Sequence, residues 1–124
     1  DITMNLKPKI QNFKERPEFL RDAKYLQYTV GNPVLDGSKF SSTTTVKAGT
    51  AIFRNDETGL YELVQSETPA DMKGAVLTTF DVTVEPKVDE MVGAVRDASV
   101  IEKRCTGVTE NFKEATKGRI IFDI

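Results

Sequence analysis

Four carboxylates fall close together in this chain: Asp81, Glu85, Asp89 and Glu90. Grouped carboxylates can hold a cation or divide acid and base work between them. The spacing here fits neither. A helix–loop–helix calcium site needs acidic ligands at alternate positions and a glutamate at the twelfth, and that order does not occur. Asp81 and Glu85 share one face of a strand pattern, but two strand repeats apart and beside threonines. They are expected to form a solvated strand face and turn, with no metal and no cofactor. Lys113, Lys117 and Arg119 could meet an anion. They also stand where cations face the C-terminal dipole of a short helix, which is the simpler reading. The chain has one cysteine, Cys105, and no histidine. This removes an internal disulfide, the Ser-His-Asp and Cys-His arrangements and most catalytic zinc sites. Cys105 is expected as a small buried hydrophobe. The glycines at 49, 59, 74, 93, 107 and 118 form neither a dinucleotide fingerprint nor a phosphate loop, and are expected at turns, caps and strand irregularities. With no catalytic constellation, the chain is expected not to be an enzyme.

Composition narrows the classes further. The 124 residues suit one domain, and 39% hydrophobic against 29% charged residues leaves a lean core. Net charge is -2, unevenly spread. Residues 1–45 carry seven basic and five acidic side chains, and residues 46–124 carry ten and fourteen. A nucleic-acid binder would be strongly and locally basic, so no nucleic-acid partner is expected. The mildly basic first segment suits docking on something acidic. No apolar run is long enough to span a membrane, and no signal-peptide core is present. The chain opens on Asp1 rather than Met, as a processed product or a piece of a longer one would.

Residues 1–45 lack a sustained apolar face. Their apolar residues, among them Ile10, Phe13, Phe19, Leu20, Tyr25, Tyr28 and Phe40, are spaced like anchors. One short helix is expected after Pro17, where PEFLRDAKYL sets Phe19, Leu20, Ala23 and Leu26 on one stripe. Turns follow at GNP, 31–33, and DGS, 36–38, and then the β-branched tract SSTTT at 41–45. The whole segment reads as an extended arm.

From residue 46 the texture changes. VKAGTAIFRNDETGLYELV, 46–64, reads as two strands joined by a loop with Asn55, Asp56 and Gly59 as turn residues. TPADMKG, 68–74, reads as one helical turn capped by Thr68. AVLTTFDVTVE, 75–85, is the clearest alternating strand. A strand with a bulge or close approach at Gly93 follows. NFKEATKG, 111–118, is a short helix, with Asn111 and Glu114 as a capping box and Gly118 as its stop. RIIFDI closes the chain as a strand. The expected fold is mostly β with short helices (α+β): a small β-rich, barrel- or sandwich-like domain over residues 46–124, preceded by the arm of residues 1–45. A domain of that size is marginal alone, so oligomerisation or docking is expected to supplement it.

This order of motifs resembles the capsid decoration proteins of tailed bacteriophages, the group that includes the lambda head decoration protein. The resemblance lies in Ala48-Gly49-Thr50, Thr58-Gly59 with Tyr61, Gly74-Ala75-Val76-Leu77, Gly93 with Val95, and residues 119–122. The arm is similar to those of decoration proteins from phages of Gram-positive hosts in Tyr25, Gly31-Asn32-Pro33-Val34 and Gly37-Ser38-Lys39-Phe40. The resemblance implies a non-enzymatic virion protein, made in the host cytoplasm. It would bind the outer surface of the head as a homotrimer, with the major capsid protein as partner, and hold the head against internal DNA pressure. On that reading the capsid-binding residues are Ile10, Phe13, Phe19, Leu20, Tyr25, Tyr28, Phe40, Thr43, Thr44, Thr45 and Val46, because an arm with a β-branched run suits pairing at a sheet edge. The arm is longer than the lambda type leads one to expect. Two alternatives are the base of a head fibre or another virion part, and a small enzyme working through Asp81 and Glu85.

Overall fold

The computed structural model describes residues 18–29 and 31–124. They form a β-rich α+β fold whose main sheet is curled into a half-barrel. The strands are β1 (Leu20–Tyr28), β2 (Val34–Leu35), β3 (Thr44–Val46), β4 (Ala51–Arg54), β5 (Tyr61–Leu63), β6 (Lys73–Thr78), β7 (Val82–Val84), β8 (Glu90–Met91), β9 (Ala94–Ile101) and β10 (Ile120–Asp123). Among the described residues one α-helix, α1 (Glu110–Thr116), precedes β10, and short 3-10 turns occupy Gly37–Lys39 and Glu102–Arg104. The main sheet runs β1-β9-β6-β4-β5-β2-β8, with β10 also on β9, while β3 and β7 form a separate two-stranded ribbon.

The long strand β9 organises the sheet. It pairs antiparallel with β1, antiparallel with β6 near its start (Leu77 opposite Val95), and parallel with β10 near its end (Phe122 opposite Val100). Alternation along the central strands then builds two cores. Ala51, Ala75, Leu77 and Val95 face one core with Phe19, Leu20, Val100 and Phe112. Ile52, Val76 and Ala94 face the other, which the β3–β7 ribbon covers with Val46 and Val84, joined by Leu35 and Phe40. Both faces of the sheet are thus covered, which the half-buried alternation expected from sequence did not require.

Several expectations are corrected. Residues 18–26 do not form the expected helix: from Leu20 onward they are β1. The helical stripe is overridden because Phe19 and Leu20 gain full burial, each 2% exposed, by pairing along β9. The strand accommodates its mismatched sequence through register shifts along its length, between Leu20 and Asp22, Asp22 and Gln27, and Gln27 and Tyr28. Residues 68–74 are a turn running into β6; the Thr68 hydroxyl accepts the Gln65 amide at 2.9 Å instead of capping a helix. The strand expected over 75–85 breaks after Thr78, so that β6 stays in the main sheet and β7 crosses to the ribbon. Gly93 lies between β8 and β9 without a close approach: an added Cβ would meet nothing nearer than 3.7 Å. Helix α1 is capped by Thr109, whose hydroxyl accepts the Phe112 amide at 3.0 Å, and not by Asn111. The 45/46 boundary also moves, because β1, β2 and β3 all pair with strands of the later segment.

Two glycines in this fold are dictated by sterics. At Gly37 an added Cβ would lie 2.3 Å from the Val88 backbone. At Gly49, with φ near 82°, it would lie 2.9 Å from the Phe19 ring. The second contact seats Phe19, and with it the start of β1.

Candidate functional site

The expected acid groups are structural acceptors. Asp81 Oδ1 takes the Ala48 amide at 2.7 Å, tying the β6–β7 break to the loop before β4. Asp89 Oδ1 takes the Gly37 amide at 2.9 Å. Glu85 is exposed and Glu90 half-buried. Among the described residues no cluster of three or more metal-ligating groups forms. The basic trio divides: Lys117 and Arg119 line one depression with Lys73, Asp71 and Glu114, and Lys113 stands outside it. Lys113 Nζ pairs with Glu102 at 2.9 Å and lies 5.7 Å from the Phe122 ring centroid; the Glu102 hydrogen bond leads the effects that raise its pKa. Arg119 donates to the carbonyls of Arg96 and Ala75, and its partial burial lowers its pKa. Lys117 ends α1 in the left-handed conformation. Cys105 donates to the Ile101 carbonyl at 3.6 Å, and burial, reinforced by Glu102, pushes its pKa up to about 11. It is a packing thiol, held neutral at physiological pH.

The eleven residues expected to touch a partner separate into distinct groups. Phe19, Leu20, Phe40 and Val46 are buried in the chain's own cores, so their side chains are already occupied. The sequence showed anchors; the structure shows that they anchor the chain to itself. Tyr25 lies within β1, and Tyr28 ends that strand with its ring about half exposed. Ile10 and Phe13 lie outside the described residues. Thr43 and Thr45 are exposed, and Thr44 is half-buried.

The three threonines border an open strand edge of the described surface. Among the described residues β3 pairs with β7 alone, so its other edge carries no described strand. Residues of β5 line the same depressions as β3. In the β4–β5 hairpin, Asn55 bonds to Leu60 and Val64 to Ala51, so residues 60, 62 and 64 direct their backbone groups at β4. Tyr61 and Leu63 therefore direct theirs away from β4. The Tyr61 carbonyl accepts the Asp36 amide beside β2 at 2.9 Å, but β2 ends at Leu35. Leu63 faces the gap beyond it. Two depressions, of about 430 and 330 Å³, meet at Thr44 and Leu63. Thr45, Val46, Lys47, Thr50 and Thr106 line the first; Lys39, Phe40, Ser41, Glu62 and Gln65 line the second. Together they make a trough between β3 and β5.

Sequence reasoning found one wall of this trough in the threonine tract. It missed Leu63, because LYELV signals a strand but not which of its edges is free; that depends on β2, far upstream. Compared with protein families, curated proteins and solved structures, the chain finds no match.

Proposed function

We propose that this protein is a capsid decoration protein, a non-enzymatic module that binds the outside of a phage head, as a trimer, and stabilises it. The sequence motifs that resemble such proteins support the reading, as does the β-rich fold in which they sit. The observation that carries it is the edge of β3 that no strand covers among the described residues. Residues 40–46, FSSTTTV, contain no charge and no proline, although natural edge strands are usually protected by one or the other. An unprotected edge of β-branched residues suits a strand that is covered when the protein is at work. Many weak contacts of this kind gain strength when copies are arrayed on a lattice.

Substitution, not truncation, tests this reading, because much of the expected arm belongs to the fold. The wild-type chain is expected to co-sediment with expanded, undecorated phage heads and to raise their thermal breakage temperature. Thr43→Lys/Thr45→Lys places charge on the exposed edge without touching either core, and is expected to weaken co-sedimentation about tenfold, as for truncation of a contact worth roughly 1.4 kcal/mol. Failure of the wild-type chain to bind such heads would rule the reading out.

A further inference from the structure

We infer that the trough between β3 and β5 is the seat of a single extended segment supplied by the protein on which this chain docks. That strand would bridge the β3–β7 ribbon to the main sheet. The inference rests on the decoration reading for the source of the strand and goes beyond it in assigning a second wall, Leu63, and the chemistry of the occupant.

The hydrogen-bonding groups specify what fits. β3, whose second edge carries no strand among the described residues, and Leu63, whose backbone faces away from β4, line the same trough. Amides and carbonyls along a strand are matched in full by another extended backbone. A helix satisfies its own backbone groups internally and would leave both edges open. Below the trough, Val46 and Leu63 belong to the core under the ribbon, so small or β-branched side chains on one face of the incoming strand would continue an apolar layer.

Charge selects the source. Lys39 and Lys47 are exposed at the trough, while its carboxylate, Glu62, already accepts a hydrogen bond from Asn55 at 2.9 Å. An incoming segment that is neutral or acidic is favoured. Residues 1–17 of this chain, whether from the same or a second copy, match poorly: Lys7, Lys9, Lys14 and Arg16 outnumber Asp1 and Glu15, and Pro8 and Pro17 lack the amide a ladder needs. The basic arm and the lysine-flanked trough instead call for the same thing, an acidic partner surface.

Residue-resolved hydrogen exchange on the wild-type chain, free and bound to expanded undecorated heads, tests the assignment. The Leu63 amide is expected to exchange about tenfold or more slowly when bound, while the tip of the 55–60 loop stays unchanged. Lys39→Glu/Lys47→Glu, with its fold checked by circular dichroism, is expected to weaken binding about fivefold or more. Binding with unaltered Leu63 exchange would overturn the inference and leave the decoration reading standing. Unweakened binding of the charge-reversed variant would overturn the acidic-partner assignment. Leu63 protection in the free chain that rises with concentration would place a second copy in the trough and overturn it too. No binding to heads at all would remove both readings.

Discussion

Thr78 and Thr79 are neighbours of the same type, 0% and 1% exposed, and they face opposite energetic situations. The Thr78 hydroxyl accepts the Thr50 amide at 3.0 Å and donates to the Lys47 carbonyl at 2.9 Å. It thereby fastens the loop before β4 to the end of β6. The Thr79 hydroxyl has no partner among the described residues. A buried hydroxyl without a partner costs free energy, and its removal relieves that cost. Thr78→Val is therefore expected to destabilise the fold by about 1–3 kcal/mol, since it orphans the Thr50 amide. Thr79→Val, nearly the same in shape, is expected to be neutral or to stabilise by about 1 kcal/mol. Urea unfolding of the two variants checks the contrast, and equal losses would contradict it. The sequence could not separate the pair. TT within AVLTTFDVTVE signals a strand with threonines on alternate faces, whereas what decides their roles is the break after Thr78. One other residue-level feature was legible in part. Cys105 packs against one core as a small hydrophobe, half-buried where burial was expected.

At the scale of elements, signals that depend on nearby residues were readable and those that depend on distant ones were not. The β4–β5 hairpin follows from its alternation and its loop, where the Asn55 carbonyl accepts the Gly59 amide at 2.7 Å. Helix α1 and its stop also follow, with Lys117 and Gly118 both at positive φ. Its cap was misplaced by two residues because Thr109 and Asn111 are both competent N-caps. Packing decides between them: the Asn111 side chain instead donates to the Thr68 carbonyl at 3.0 Å, linking α1 to the turn before β6. Thr109→Ala is accordingly expected to cost about 1 kcal/mol. Glu114→Ala, which would matter in the capping box read from sequence, is expected to cost less than about 0.5 kcal/mol, as an exposed position should. Thermal melts of the two variants discriminate; a larger loss from Glu114→Ala would restore the capping box. β1 went unread for a related reason. Phe19, Leu20, Ala23 and Leu26 do fit a helical stripe, and only β9, paired 67 to 80 residues further along the chain, makes the strand the better solution.

At the scale of the whole molecule, the question is where the fold begins. The change of texture at residue 46 suggested that a domain starts there, but composition marks a change of pattern and not a boundary of packing. Phe19 and Leu20 complete one core, Leu35 and Phe40 the other, and the Phe19 ring fills the space left open by Gly49. Removing residues 1–45 would delete these four large side chains, at about 2–5 kcal/mol each by analogy with core truncations. The sum is on the order of the entire stability of a small domain, about 5–15 kcal/mol. It would also strip β9, β5 and β7 of strand partners and expose their edges. A chain starting at residue 46 is therefore expected to lose cooperative unfolding and to aggregate or bind a hydrophobic dye. A chain starting at residue 18 keeps the ten strands and the two cores of the described residues, and is expected to melt cooperatively. Circular dichroism melts of the two truncations decide the matter, and a cooperative transition in the shorter chain would refute it. The result also governs how docking is measured. Loss of head binding after removal of residues 1–40 would report unfolding, whereas loss after removal of residues 1–17 alone would report a contact made by that segment, with the β3 edge and the trough still in place.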